Sequence, residues 1–284
     1  MYRNIRQRLA YSGMEAGEAR AVALLLMEKI CGMDTAAALL APADWGRGDG
    51  SHVEEGKRLS EAVDRVANGE PVQYVLGEAD FCGMALHVEK GVLIPRAETE
   101  ELARWAAEDS KAKHVLDIGT GSGCIAVALA RMLPEAQVEA WDVSDVALRI
   151  ARGNACDQNV RVLFRHVDVL KEGEAEAERL TGTMDTIVSN PPYICHEEAA
   201  DMEANVLDHE PHLALFVPDD DPLLFYRQIA RLALTMLRKD GRLFFEINRR
   251  FGKETADMLA KMGYREIIMR QDQFGNDRMI LAHK

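Results

Sequence analysis

The chain has 284 residues, 48% hydrophobic and 29% charged, an ordinary balance for a soluble globular protein and enough length for one large domain or a small and a medium one. A formal net charge of −13 gives no global attraction to nucleic acid, although a local basic patch could still hide within the average. The five cysteines (31, 82, 124, 156 and 195) are scattered without metal-ligand spacing, and the apolar run 21–27 is far too short to span a bilayer, so a cytoplasmic protein with reduced thiols is expected.

Residues 1–70 read as helices and little else. Apolar residues recur at helical spacing over 15–31, and Gly32 is a natural stop. Asp34 can cap a short helix ending at Leu40, and Pro42 with glycines 46, 48 and 50 makes a loop. Ser51 and Glu54 form a capping-box pattern ahead of a helix that ends at Asn68 and Gly69. A small helical bundle follows from this, of the kind that docks a partner or packs on a neighbour. Over 71–95 the texture turns β-rich. The runs 72–76, 81–88 and 92–94, broken by Gly77, Gly83 and Gly91, predict a hairpin-like linker. Residues 98–107 predict the first helix of a second domain covering 96–284.

Residues 114–118 form a buried-strand pattern that runs into Gly119, Thr120, Gly121, Ser122 and Gly123, and 124–132 continue as an apolar helix. Glycines at a strand-to-helix turn let the backbone approach a ligand, and the helix start offers free N–H groups. Alone, the pattern fits a dinucleotide loop or a tight turn equally well. A second strand, 138–141, ends at Asp142, where a carboxylate can accept from both hydroxyls of a ribose or simply head the helix that Ser144 caps. A third strand, 160–167, ends at Asp168, in position to meet an adenine amino group.

The fourth strand, 186–188, stops at Asn190, and Pro191 and Pro192 prevent it from continuing as strand or helix. Asn190 is thus held at a stiff strand end with Tyr193 three positions on. An amide oxygen with neighbouring carbonyls can accept both hydrogens of a planar –NH2 group while an aromatic ring covers its face. A plain turn is the alternative for Asn-Pro alone. The run from Ser189 to Tyr193 resembles the acceptor motif of enzymes that use S-adenosylmethionine to methylate planar nitrogens. Glycine loop, ribose acid, adenine acid and acceptor motif fall at successive strand ends, on one rim of a parallel sheet, which is where open α/β sheets bind ligands. Beyond them, 197–210 read as an acidic loop, Pro222 opens a helix through Leu237, and 241–247 form a fifth strand. A helix over 253–262 stops at Gly263, and 264–270 with 278–282 make a closing strand pair around Phe274, Gly275 and Asn276.

Over nearly its whole length the chain resembles the PrmC/HemK family of release factor glutamine methyltransferases. The resemblance is carried by the helical N-terminus, Gly69-Glu70-Pro71, Tyr74-Val75-Leu76-Gly77, and Leu93-Ile94-Pro95-Arg96-Ala97-Glu98-Thr99-Glu100. It continues through Asp117-Ile118 and the glycine loop, Asn190-Pro191-Pro192-Tyr193, Glu210-Pro211 with Ala214-Leu215, and Asp277-Arg278. It implies an α/β fold, the Rossmann-like class I S-adenosylmethionine-dependent methyltransferase with a seven-stranded, mostly parallel sheet, behind a small N-terminal helical bundle. It also implies transfer of a methyl group to the glutamine N5 of the Gly-Gly-Gln loop in class 1 peptide chain release factors, with S-adenosylhomocysteine as product. By family pattern Gly119, Thr120, Gly121, Ser122 and Gly123 hold the methionine part of the cofactor. Asp142 holds the ribose, and Val169 beside Asp168 lines the adenine pocket. Asn190 and the Pro191 carbonyl grip the glutamine amide, and Pro192 and Tyr193 enclose it. A monomer without metal, covalent intermediate or nucleic-acid substrate is expected. Three positions depart from the pattern: Ala97 replaces a proline, residues 217–222 replace a glycine-rich stretch, and Asn248 stands where glycine is common. Two other readings use the same residues: an adenine or cytosine amino methyltransferase acting on a flipped base, and a non-catalytic module binding the cofactor or a partner.

Overall fold

The computed structural model describes residues 1–47, 50, 52–109 and 111–284. They form two compact units, Met1–Glu78 with Glu203–His209, and Ala79–Met202 with Glu210–Lys284. Gly48 and Ser51 of the expected loop and capping box lie outside the described residues.

The first unit contains α1 (Tyr2–Tyr11), α2 (Ala16–Cys31), α3 (Thr35–Leu40), α4 (Val53–Ala67) and α5 (Val72–Leu76). Local chemistry sets the boundaries. The Glu15 carboxylate accepts from the N–H groups of Gly17 and Glu18 to start α2, and Gly32 ends it in the left-handed region. Asp34 Oδ1 accepts from Ala37 N–H at 2.8 Å to start α3. Leu9, Leu26, Met27, Leu59 and Val63 fill the core. The expected strand over 72–76 is α5 instead. Pro71 sets its entry, Gly77 at φ 76° ends it, and Val72, Val75 and Leu76 meet the helical core with the i, i+3, i+4 spacing of one helix face. Burial of that face outweighs the β preference of the valines and tyrosine.

β1 (Glu78–Phe81) and β2 (Met84–His87) make a two-stranded sheet whose connecting pair, Cys82 and Gly83, both have positive φ, as a tight hairpin turn demands. Residues 92–94 form no strand. The second unit continues with α6 (Ala97–Ala107), β3 (His114–Ile118), α7 (Cys124–Met132), β4 (Gln137–Asp142), α8 (Asp145–Asp157), β5 (Val162–His166) and α9 (Gly173–Arg179). Then come β6 (Met184–Ser189), β7 (Ile194–Cys195) and a 3-10 helix (His196–Asp201). α10 (Ala204–His209) falls in the first unit. The stretch read as an acidic loop is therefore largely helical, opened by Glu198, whose carboxylate accepts from Cys195 N–H at 2.9 Å. α11 (His212–Leu215), β8 (Phe216–Val217), α12 (Leu224–Met236), β9 (Leu237–Glu246), α13 (Gly252–Lys261), β10 (Arg265–Gln271) and β11 (Asp277–His283) complete the chain. Leu237 belongs to β9 and not to the preceding helix, because it pairs with Met184; a register shift, with Asp240 at φ 62°, precedes the Arg242 pairing.

The central sheet has the order β10-β11-β9-β6-β3-β4-β5. The four pairings from β9 to β5 are parallel, and β11 runs antiparallel to both of its neighbours. Strand alternation sorts side chains onto two faces. Val115, Ala140, Val188, Phe244 and Leu281 pack with α6 and α7 through Leu102, Trp105, Ile125 and Leu129. Leu116, Trp141, Ile187, Phe245 and Ile280 pack with α12 and α13 through Tyr226, Ile229, Met236 and Leu259. Both faces of β3 and β6 are covered along most of their length, the charged Asp117 and Asp185 included, while β5 at the edge stays partly exposed. From β3 the sheet grows one way to β4 and β5 and the other way to β6 and β9. Such a reversal leaves a crevice outside the carboxyl ends of β3 and β6.

Candidate functional site

A cavity of about 400 Å³ occupies that crevice, within the size range of small-molecule sites. Ile118 and Ser189 are register partners, so Gly119 and Asn190 leave adjacent strand ends together. Ser189 Oγ donates to Ile118 O at 2.6 Å and fixes the two ends to each other. Gly119, at φ 77°, faces open space; an added Cβ would come only within 4.0 Å of Asn190 O. The N–H groups of Gly119 and Thr120 both donate to Trp141 O, at 2.9 and 3.0 Å, which folds the loop back over β4. Gly123 is needed for a different reason. A Cβ there would lie 2.8 Å from Ala151 Cβ, so its bare backbone lets α7 start close against α8.

Two carboxylates organise the loop. Asp117 Oδ2 accepts from Thr120 Oγ1–H at 2.6 Å and Ala126 N–H at 3.2 Å, while its Oδ1 is buried with no partner among the described residues. Burial pushes this carboxyl up to about 7. Asp142 Oδ2 accepts from Gly121 N–H and Oδ1 from Ser144 N–H, each at 2.8 Å. Burial raises Asp142 as well, against these backbone bonds. Asp142 also lines the cavity, as do Asp168 and Val169. Asp168 is held below the usual carboxylate range, first by Lys171, whose Nζ lies 2.8 Å from it, and Val169 O accepts from Gln228 Nε2 at 2.9 Å.

At the acceptor end Asn190, Pro191 and Pro192 line the cavity. Asn190 Nδ2 donates to Thr99 Oγ1 at 3.2 Å, and Thr99 Oγ1 donates to Glu246 Oε2 at 2.6 Å. Tyr193 O–H donates to the other oxygen, Glu246 Oε1, at 3.0 Å. Burial pushes Glu246 up, opposed by these two hydroxyls and by the charge of Arg278. Burial also raises the Tyr193 hydroxyl far above its ordinary range, so it stays a neutral donor. Arg96 pairs with the buried Glu210, which also accepts from Ile94 N–H at 3.1 Å and so ties the 94–96 segment to the one that follows α10. Asn248 Nδ2 donates to Tyr193 O at 3.0 Å and Glu198 Oε2 at 2.9 Å, a pair of bonds no glycine could make.

Ten of the residues singled out in the sequence thus line one cavity: Gly119, Thr120, Gly121, Ser122, Asp142, Asp168, Val169, Asn190, Pro191 and Pro192. Gly123 and Tyr193 stand behind its wall, the first against α8 and the second against the core beneath α12. Sequence reasoning passed over Thr99, Glu246 and the support from Asn248. Glu246 carried a usable signal: it ends the apolar run Leu243-Phe244-Phe245 as Asp142 and Asp168 end theirs. Thr99 entered only as one member of the family-like run from Leu93 to Glu100, and nothing beside it points to a partner 147 positions away. No group of three or more His, Cys, Asp or Glu side chains among the described residues could hold a metal ion, and no helix there is long and apolar enough to cross a membrane.

Comparison with known proteins decides among ligand classes that this geometry admits. Residues 1–77 match the PrmC N-terminal domain and residues 99–210 the Methyltransferase small domain. The release factor glutamine methyltransferase of Bacteroides thetaiotaomicron is 48% identical over 230 residues, 80% of this chain and 81% of that protein. The chain belongs to the release factor glutamine methyltransferase family. The Flavobacterium psychrophilum member is 47% identical over 217 residues, 74% of each chain. A methyltransferase structure from Pyrococcus furiosus, at 16% identity, superposes with a TM-score of 0.50 over 79% of this chain and 98% of its own, a likeness of fold. The sheet described above is accordingly the Rossmann-like class I methyltransferase sheet, and membership in the family implies S-adenosylmethionine-dependent chemistry. The cavity suits that group: a glycine loop without Cβ atoms at Gly119 and Gly121, acceptor oxygens at Asp142, and an orphan carboxylate oxygen at Asp117 behind the loop.

Proposed function

We propose that the chain transfers a methyl group from S-adenosyl-L-methionine to the N5 side-chain amide of the glutamine in the Gly-Gly-Gln motif of class 1 peptide chain release factors, in the cytoplasm. The observation that carries this reading is Asn190, fixed at the end of β6 on the wall of a cavity whose other end is the glycine loop and Asp142. The helical unit, residues 1–78, is the release-factor docking element in this reading, and the sheet unit performs the transfer.

When bound, the cofactor supplies an electrophilic sulfonium methyl group. Asp142 would accept from its ribose hydroxyls, Gly119 to Ser122 would border its methionine part with Gly123 supporting the loop from behind, and Val169 beside Asp168 would border the adenine. An amide nitrogen is a weak nucleophile because its lone pair is delocalised into the carbonyl. The site's task is therefore alignment, which can contribute roughly 7–11 kcal/mol at best. Asn190 Oδ1 and the Pro191 carbonyl accept the two amide hydrogens, turn the nitrogen lone pair toward the methyl group and stabilise charge developing on nitrogen. The nitrogen's electron pair would form the new N–CH3 bond as the S–CH3 bond breaks with its pair left on sulfur, S-adenosylhomocysteine leaving, and the nitrogen loses one proton to water. Tyr193, held by Glu246, supports the loop that carries both acceptors.

The test is transfer of labelled methyl groups to purified release factor, beside a factor whose Gly-Gly-Gln glutamine is substituted and a DNA and RNA control. Label that vanishes with the glutamine supports the reading, and label on nucleic acid overturns the substrate. Asn190→Ala is expected to lower kcat at least about 100-fold with cofactor affinity largely retained, the loss typical of a missing preorganised contact; equal loss of both would remove Asn190 from the acceptor side.

A further inference from the structure

We infer that Thr99 is a positioning residue that decides which way round the Asn190 amide stands. The inference rests on the proposed role of Asn190. An asparagine amide turned by half a revolution fills the same space with opposite hydrogen bonding, since one end only donates and the other only accepts. To grip an –NH2 group, Asn190 must present Oδ1 and turn Nδ2 away.

Three side chains from three separate elements enforce that choice. Asn190 follows β6, Thr99 lies on α6 and Glu246 ends β9. A hydroxyl has a single hydrogen, so Thr99 can give it either to Asn190 or to Glu246. It gives it to Glu246 Oε2 at 2.6 Å, a carboxylate that accepts. The oxygen lone pairs of Thr99 then remain for Asn190, and Nδ2–H, 3.2 Å away, can use them. A reversed amide would set Oδ1 against Thr99 Oγ1 with no hydrogen between them. Tyr193 O–H occupies Glu246 Oε1, so each oxygen of the carboxylate takes one hydroxyl hydrogen. Thr99 and Glu246 are 3% and 2% exposed, so the choice is made between buried side chains, where an unpaired polar atom is costly.

Thr99→Val keeps the shape and removes the hydroxyl; Thr99→Ser keeps the hydroxyl. Without an acceptor beside it, the Asn190 –NH2 gains by turning toward the open cavity, and the productive orientation becomes the minor one. The experiment measures kcat and KM for methyl transfer to a release factor carrying Gly-Gly-Gln, S-adenosylmethionine Kd by direct titration, and thermal melting, with Asn190→Ala alongside. Thr99→Val is expected to lose about tenfold or more in kcat, about 1.4 kcal/mol, with KM and cofactor Kd within about threefold, while Thr99→Ser recovers most of the loss. A Thr99→Val kcat near that of the parent, a Thr99→Ser as slow as Thr99→Val, or cofactor affinity lost in step with kcat would each overturn the inference. Should Thr99→Val not fold, Thr99→Ala removes the same hydroxyl without a branched side chain and carries the same expectation. Near-normal turnover by Asn190→Ala would defeat the reading of Asn190 itself. Slow Asn190→Ala beside fast Thr99→Val would defeat the role of Thr99 alone.

Discussion

Gly123 offers the sharpest quantitative prediction, because two separable effects forbid a side chain there. Its φ is 82°, and an L-residue in that region is strained by roughly 1–2 kcal/mol. Its Cβ would also stand 2.8 Å from the Ala151 methyl carbon and 3.1 Å from the Ala151 backbone, neither of them at the end of a flexible side chain. Overpacking of that kind costs about 1–3 kcal/mol. Gly123→Ala is therefore expected to lower stability by about 2–5 kcal/mol in total. Ala151→Gly removes the nearer atom at a cost of about 1 kcal/mol for a glycine inside α8. In that background Gly123→Ala should cost only the conformational share, roughly 1–2 kcal/mol, plus the remaining crowding against the backbone at position 151. Urea unfolding, followed through the buried Trp105 and Trp141, measures all four chains of the cycle. An equal cost of Gly123→Ala in both backgrounds would refute the steric half of the reasoning, and a cost below about 1 kcal/mol would refute the conformational half as well.

Two further predictions concern the carboxylates around the glycine loop. Asp117 is pushed up to about 7 in the folded chain from an ordinary 3.8, so the folded state keeps its proton after the unfolded state has lost it. Stability of the ligand-free protein should then fall as pH rises from about 4 to about 7, and Asp117→Asn, with no proton to lose, should escape up to roughly 2–4 kcal/mol of that fall. Denaturation of both proteins at several pH values checks this; a gap between them that stays constant across the window would sink it. Asp142→Ala removes the acceptor for the Gly121 and Ser144 N–H groups together with the proposed ribose contact. It should weaken S-adenosylmethionine binding by on the order of 1.5–3 kcal/mol by calorimetric titration, and an unchanged affinity would take Asp142 out of the site.

The features legible from the residues alone are those that are local in the chain. The glycines between β3 and α7, the acid ending β4 and the Asn-Pro-Pro that stops β6 each act within a few residues, through φ, capping or a missing N–H. The parallel sheet was legible for a related reason: Val115-Leu116, Ala140-Trp141 and Ile187-Val188 are short apolar stretches that each end at a polar residue. Residues 72–76 show where that legibility ends. Their valines and tyrosine favour a strand, and a helix forms because its i, i+3, i+4 face closes the core of the helical unit. The same holds for residues 197–210, whose charges suggested a loop and whose backbone forms a 3-10 helix and α10.

What stands behind Asn190 follows from long-range packing instead. Its motif announces an amide at a strand end, but an amide has two faces, and no neighbouring residue selects between them. The selection comes from Thr99 and Glu246, 91 positions before Asn190 and 56 after it, which meet because α6 packs beside β9 and β9 pairs with β6. Asn248 likewise stands where the family pattern suggested glycine, and its use as a clamp on the Tyr193 carbonyl follows from β9 ending at the same rim. Turns, caps and strand ends are written in a few consecutive residues. The polarity of a buried hydrogen bond is set by whatever partner the fold brings to it, and that partner can lie anywhere in the chain.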